Sequence, residues 1–400
     1  MLAISGRALN SARDLVIDEA QVSWGRAPDS SWILGDHTQI RSLGALMETI
    51  GHEVPDFIPA EYRLSMEGLA RGPIPWPLVI PQRILGEHLR GIEGTVLDTL
   101  EALGDYADCL AGSRRVLSKL QPCRVDLSSL RIEQGRSSTS VLDSFEPGPD
   151  FMCQPPIYSH ATATGRLTVR EGPRILTLQK DHRRILASRF DGGRMTQIDF
   201  VSLEPRVLRL LANGSAPVDI YSDVAERLGG AANRRQVKLA TLKMLYGSSR
   251  AGITEELGSI NTRVIKQIED YFGLSGLRGR LSSELAREGA IRSHWGRPLP
   301  EATEQHLLIS HFTQSTAVDV ALGGFGDLLE SIEAEDLDVI PCYVLHDALL
   351  VDVHPGSVDR LAALTRRGLD VEGLGHFELS LSPAYIEEEQ HVSDQTQAAG

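Results

Sequence analysis

Two apolar runs, VIPCYVL (339–345) and ALLVDV (348–353), are separated by only His346 and Asp347. β-rich runs split by two residues fold back as an antiparallel hairpin, which puts the polar pair at the tip. His-Asp is not a dipeptide that such turns favour. The turn is therefore expected to be distorted, as backbones often are where a function depends on them. Upstream, MTQIDF (195–200) reads as a buried strand. SLEPRVLRLLA (202–212) reads as a helix, with Ser202 as N-cap and Pro205 in the first turn. Long helical patterns cover 231–246 and 301–332. Together these elements predict an α+β chain.

Composition narrows the class. With 400 residues the chain has room for two or three domains or one multi-lobed unit. Its 42% hydrophobic and 24% charged residues exclude disorder throughout, and the lack of a repeat excludes a collagenous chain. No apolar run approaches the roughly 18 residues of a membrane span. The N-terminus meets Asp14, Asp18 and Glu19 before any continuous apolar segment, unlike a secretory signal. Cys109, Cys123, Cys153 and Cys342 show no C-x-x-C spacing, so neither a zinc site nor a disulfide framework is expected, and a reducing, cytoplasmic compartment fits. The net charge of -14 argues against a non-specific nucleic-acid coat protein. It does not argue against a nucleic-acid enzyme, because binding depends on where the cations sit.

Residues 1–85 carry no legible chemistry; prolines at 73, 75, 77 and 81 require an extended or turning chain there. Between 86 and 120, Val96, Leu97, Leu100, Leu103 and Tyr106 recur at helical spacing. Residues 133–150 read as a loop with a short helix, and 387–400 as a polar, disordered tail.

Two acidic residues have an unusual context: Asp199 near the end of a predicted strand and Asp347 at the hairpin tip. A carboxylate among buried apolar residues costs free energy unless it is paired or coordinated. Two of them on adjacent strands could hold two Mg²⁺ ions about 3.5–4 Å apart, the arrangement of in-line phosphoryl transfer. Each is also an ordinary turn or cap residue taken singly. In ANRRQVKLATLKMLYGSS (232–249), Arg234, Lys238, Leu242 and Tyr246 follow one another at i,i+4, drifting by about 40° per step. That face suits a nucleoside triphosphate, with cations on its phosphates and the aromatic end against its base or sugar. From the pattern alone, a solvated basic face with Tyr246 anchoring the core is the favoured reading. Gly247 ends this helix.

Taken together, the motifs resemble those of the family A DNA polymerases, the class of bacterial DNA polymerase I. HATATGRL (160–167) resembles the T-x-T-G-R-L segment, DFVSLEPRVL (199–208) the first palm motif, and RRQVKLATLKMLYG (234–247) the fingers-helix motif. GRPLP (296–300), FTQSTAVD (312–319) and LHDALL (345–350) resemble the G-R-x-R-x-L-P, Q-G-T-A-A-D and V-H-D-E-L stretches, in the right order over about 155–355.

The resemblance implies a right-hand fold. An antiparallel-sheet palm is expected from 151–212 and 296–386, helical fingers from 213–295, and a reduced helical thumb over 86–150 carrying Arg114, Arg115 and Lys119, with residues 137–140 near phosphates. It implies that Asp199, Asp347 and the Phe200 carbonyl bind two Mg²⁺ ions, and that Arg234 and Lys238 neutralise the triphosphate, Lys238 also giving a proton to the leaving group. Tyr246 would lie against the nascent base pair, with Glu204 as a steric gate against a ribose 2′-hydroxyl. Arg166, Gln314 and His346 would touch primer-template DNA near the primer end. Arg206 corresponds to the closing Arg of the palm motif, in a structural salt bridge or a catalytic role. The implied ligands are dNTPs and primer-template DNA.

The pattern is broken at several points. Leu242 replaces the usual stacking aromatic, Ala348 the Glu after the second metal-binding Asp, and Ser315 the Gly of Q-G-T-A; His306 and Ser310 stand where Arg and Asn are usual. About 155 residues precede the first motif, too few for a 3′→5′ exonuclease domain, and a polymerase without proofreading is expected. Any exonuclease, helicase-primase or clamp would be a separate protein, and the compactness is compatible with a phage or mobile-element origin. Two other readings stand beside this one: a catalytically weak primer-template-binding subunit, favoured by Ala348, and a single-subunit RNA polymerase or primase, favoured by Leu242.

Overall fold

The hairpin forms over the residues the sequence indicates, and the rest of the fold is arranged around it. The computed structural model describes residues 2–6, 9, 11–18, 21–27, 32–34, 98, 101–129, 141–160, 162–258 and 260–385. The expectations for 73–81, 137–140 and 387–400, and those for Val96, Leu97 and Leu100, lie outside the described residues.

The described N-terminal strands β1 (Leu2–Ile4), β2 (Asp14–Asp18), β3 (Gln21–Gly25) and β4 (Trp32–Leu34) form a sheet in the order β3-β2-β1-β4. Helix α1 (Asp105–Ser118) follows. The short strands β5 (Cys123–Val125), β6 (Met152–Cys153), β7 (Ile157–Ser159), β8 (Thr168–Glu171) and β9 (Leu186–Ala187) make two small sheets, β6-β5-β9 and β7-β8. Strand β10 (Arg194–Phe200) then leads into α2 (Leu203–Asn213). Helices α3 (Ile220–Arg227), α4 (Arg234–Leu245), α5 (Arg250–Leu257), α6 (Thr262–Tyr271) and α7 (Leu274–Glu288) form a lobe with its own core around Ile220, Val237, Ile253, Ile265, Ile268 and Phe272. After it come α8 (Leu308–Ala334), the hairpin strands β11 (Val339–Leu345) and β12 (Ala348–Val353), α9 (Val358–Arg366), the ribbon β13 (Leu369–Val371) and β14 (Gly375–Phe377), and β15 (Leu379–Pro383). Among the described residues no helix is long and apolar enough to cross a membrane.

The central sheet is antiparallel, in the order β11-β12-β10-β15. β11 tolerates Pro341 because it is an edge strand, and its register shifts between Pro341 and Tyr343. The 27-residue α8 is buried on nearly all sides, as expected of a helix that is apolar all round. It packs Phe325 on Phe200 of the sheet, with ring centroids 5.1 Å apart. Its first turn starts at Leu308, not at 301: residues 301–307 are turns, and Ala302 sits at a left-handed φ of 50°. Ser202 stands at the start of α2 as expected but does not cap it. Its own φ is 54° and its side chain makes no capping bond. Asn233 takes that part for α4, in a capping box with Gln236.

Helix α1 lies within the stretch expected to be a helical thumb. It lies along α8, where a Cβ on Gly112 would come within 3.2 Å of the Gly323 Cα, so the small residue permits the approach. Arg115 pairs with Asp327 at 2.9 Å and with Glu330 at 2.8 Å, and Lys119 with Glu333 at 2.8 Å. Both cations are thus paired with carboxylates of α8.

One buried ion pair joins three of the motif stretches. Arg297 and Asp319 are 1% and 0% exposed at their side chains and are directly hydrogen-bonded. Ser293 Oγ also donates to Asp319, at 3.2 Å. Burial alone would lower the pKa of Arg297, but the Asp319 charge, Tyr106 and the hydrogen bond to Asp319 together outweigh it and the net shift is upward. Gly165 completes the packing: at φ 72°, its missing Cβ would fall 2.5 Å from Arg297 Nη1. Removing one partner of such a pair strands a charge in the core. Asp319→Asn is expected to destabilise the fold by about 3–5 kcal/mol in urea melts, whereas Arg115→Met at the more open α1–α8 seam should cost less than about 1 kcal/mol.

Candidate active site

Strand β10 and the hairpin turn end at the same edge of the sheet, and a cleft of about 460 Å³ opens there. The register places Asp199 opposite Ala348, so Asp347 lies one residue beyond the paired strand. The Phe200 N–H donates to the Asp347 carbonyl at 3.1 Å, tying the strand end to the turn. The expected distortion of the turn is present: His346 has φ 51°, a left-handed conformation that costs a non-glycine residue about 1 kcal/mol or more.

Both carboxylates border the cleft, as does Phe200. Asp199 Oδ2 accepts from Gln197 Nε2 at 3.3 Å. Its Oδ1 is buried and, among the described residues, has no hydrogen-bond partner. Burial first, and the neighbouring Asp347 charge second, push the Asp199 pKa up to about 6. Desolvation raises that of Asp347 as well. A desolvated carboxylate oxygen with nothing bound to it, beside a second carboxylate, is a donor set that fits a hard divalent cation. Among the described residues no cluster of three His, Cys, Asp or Glu side chains exists, so further ligands would be backbone carbonyls, water or substrate.

Across the cleft, α4 presents Lys238, Leu242 and, at its C-cap, Tyr246. Gly247, at φ 84°, ends the helix as expected. Lys238 lies 6.0 Å from the Tyr221 ring centroid and, among the described residues, has no carboxylate partner. Arg234 departs from the expectation. It does not border the cleft but pairs with Asp219, the N-cap of α3, at 2.7 Å. The four residues do follow one helix, but the drift of the i,i+4 series and the nearby carboxylate turn the first of them aside.

Glu204 is held from two sides. Arg166 Nη2 donates to Oε1 at 2.7 Å and the Tyr246 hydroxyl to Oε2 at 3.4 Å. Its pKa is raised, with desolvation outweighing Arg166. His346 lies near Arg166, and burial first and that cation second lower its pKa, leaving a neutral imidazole. Gln314 donates to Ser310 Oγ one turn earlier on α8, at 3.1 Å. Arg206 takes a structural role, through hydrogen bonds and, among the described residues, without the expected salt bridge. It is buried and donates to the carbonyls of Val201, Pro217 and Val218, clamping the loop after α2.

Tyr221 and Gln197 were not legible as site residues. Tyr221 lines the cleft from α3, 3% exposed, but reads in sequence as a core position of an amphipathic helix. Gln197 stands two residues before Asp199 and therefore on the same face of β10, a signal that period-two alternation does carry.

No protein-family model matches the chain. Over 239 residues it is 24% identical to DNA polymerase I of Mycobacterium tuberculosis, covering 51% of this chain and 26% of that protein. Over 202 residues it is 22% identical to DNA polymerase I of Lactococcus lactis, covering 43% and 23%. Over 162 residues it is 25% identical to DNA polymerase I of Geobacillus stearothermophilus, covering 37% and 18%. The chain is a distant homologue of the family A DNA polymerase domain over about half its length. The matched segment thus spans about a quarter or less of these relatives. The fold is also similar to the POL domain of Pol1 from M. smegmatis, solved in complex with DNA primer-template and dNTP. The TM-score is 0.50 and the identity 19%, over 61% of this chain and 49% of that one.

The raised pKa of Asp199 means that the fold prefers the protonated carboxyl. The stabilisation this gives is complete below about pH 4 and is lost as the pH rises through about 6. Asp199→Asn, always neutral, is expected to be more stable than the parent by about 1–2 kcal/mol near pH 7.5 without divalent cations. In urea melts the gap should close below about pH 4.

Proposed function

We propose that the cleft is the active site of a template-directed DNA polymerase that adds a deoxynucleotide to a primer 3′-end. The observation that carries this reading is convergence. Two carboxylates from neighbouring strands, an unpaired lysine and a Glu–Tyr pair face one cleft, in a chain homologous to the polymerase domain. On this reading 151–212 and 296–386 are the palm and 213–295 the fingers. The ligands in the related structure's title, primer-template DNA and a dNTP, are the ligands proposed here.

Asp199, Asp347 and the Phe200 carbonyl would hold Mg²⁺. When bound, it supplies charge neutralisation at the triphosphate and a lowered pKa at the primer 3′-hydroxyl. Lys238 provides a compact positive charge for the phosphates and a proton for the departing pyrophosphate oxygen. Arg234 can join it only by exchanging Asp219 for a phosphate. Glu204, fixed by Arg166 and Tyr246, fills the space that a ribose 2′-hydroxyl needs. Leu242 offers apolar surface to the base where an aromatic would stack. Arg166, the neutral His346 and Gln314 act as donors at the primer end, where purine N3 and pyrimidine O2 acceptors occur in every base pair.

A second reading, a catalytically weak primer-template-binding subunit, is favoured by one observation. Ala348, in register with Asp199, places only a methyl group beside it. Primer extension with Mg²⁺ separates the two. The first reading predicts extension with dNTPs in preference to rNTPs, lowered about 10³-fold or more by Asp199→Ala and about 10²-fold by Lys238→Ala. Glu204→Ala should narrow the dNTP preference by about tenfold. Binding of primer-template without extension supports the second reading, and absence of both binding and extension overturns both.

A further inference from the structure

The Asp199 carboxylate has one hydrogen-bond partner for its side chain among the described residues, and that partner is itself fixed. Gln197 Nε2 donates to Asp199 Oδ2 at 3.3 Å. Arg183 Nη1 donates to Gln197 Oε1 at 2.8 Å. An arginine has only donors, so the Gln197 carbonyl oxygen must face it and the NH₂ group must face Asp199. Arg183 thereby sets the amide's orientation. Arg183 is half-buried, on the 3₁₀ segment Lys180–Ile185 just before β9. Gln197 is also half-buried and lies on the same face of β10 as Asp199. Across the strand pair, the residue facing Asp199 is Ala348, which has no polar atom in its side chain. The chain Arg183–Gln197–Asp199 is thus what fixes the carboxylate's rotation. It engages Oδ2 and leaves Oδ1 as the buried oxygen without a partner among the described residues.

We propose that Gln197, oriented by Arg183, is a positioning residue: it holds Asp199 by Oδ2 so that Oδ1 is presented to the divalent cation. The inference rests on the reading of Asp199 as a metal ligand. It adds a neutral, arginine-oriented amide in the shell behind that ligand, a place where outer partners commonly change metal affinity by about 10–100-fold.

The test measures cation binding directly, with Mn²⁺ as probe, from the loss of its free electron paramagnetic resonance signal as the full-length protein is titrated in. Thermal melts, primer-template binding by fluorescence anisotropy and single-nucleotide incorporation kinetics run in parallel. Gln197→Leu keeps the side chain's bulk and removes its donor. It is expected to weaken Mn²⁺ binding about tenfold or more and to lower kcat with KM for dNTP unchanged, at an unchanged melting temperature and primer-template affinity. Gln197→Glu, which can still accept from Arg183 but cannot donate to Asp199, should act in the same direction and guards against a packing defect in the leucine variant. Arg183→Met should reproduce part of the loss and add nothing when combined with Gln197→Leu. If Mn²⁺ binding is lost in Asp199→Ala but unchanged in both Gln197 variants, the positioning role is wrong while the metal site stands. If the parent protein binds no Mn²⁺, or Asp199→Ala binds it as well as the parent, the reading of the site fails and the inference falls with it.

Discussion

Arg297 and Asp319 meet where water does not reach them, and each is the partner that compensates the other's burial. The pair fixes more than a contact. Asp319 sits within α8, so its bond to Arg297 fixes the rotation of that helix about its axis. Gln314, Ala317 and Val318, which border the cleft, are thereby held on the cleft side. On the other flank, Arg297 packs against the bare Cα of Gly165. His160 Nδ1 and the Gly165 carbonyl, 2.9 Å apart, close the same turn. Arg166, the next residue, is thus held where it reaches Glu204. A side chain of ordinary size at 165 would push the arginine away from the carboxylate. The frame of the site thus depends on one charge pair that does not itself border the cleft.

The proposed chemistry sits where the fold is least comfortable. Two carboxylates are gathered at the end of a sheet, both partly stripped of water and one raised to about pKa 6. Beside them the turn residue His346 is held in a left-handed backbone conformation. Each feature opposes stability, and each has the form of a site that gives up stability for function. The sheet register absorbs the strain. Asp199 is inside the ladder with Ala348, the adjacent Phe200 N–H is bonded to the Asp347 carbonyl, and Phe200 is packed on Phe325 and Phe377. The opposite wall, α4, is held by its capping box and by the separate core of the helical lobe.

Local pattern made much of this visible beforehand. The hairpin bounds of 339–345 and 348–353 were legible because two apolar runs two residues apart have only one way to pair. The strand around Asp199 and the helices of Glu204 and Lys238 followed from periodicity and caps. What stayed hidden was which long-range partner each polar side chain would find. Arg234 looked like a phosphate ligand because its face of α4 is basic, but Asp219, 15 positions away, lies within reach in the fold. The acids that pair with Arg115 and Lys119 lie more than 200 positions later, on α8, beyond the reach of local pattern. Ser202 had the residue type of a cap, but the turn between β10 and α2 needs it in a left-handed conformation. Gln197 was passed over because a lone polar residue in a strand usually faces solvent.

On the proposed reading, the edge of the sheet and the face of α4 together form one nucleotidyl-transfer site. The most direct measurement is a crystal structure of the protein with primer-template DNA, a dideoxy-terminated primer, Mg²⁺ and the matching dNTP. The account predicts cation density between Asp199 and Asp347, the triphosphate along Lys238, and the sugar against Glu204 and Tyr246. A nucleotide bound elsewhere, or DNA bound with the cleft empty of nucleotide and cation at saturating concentrations, would contradict it.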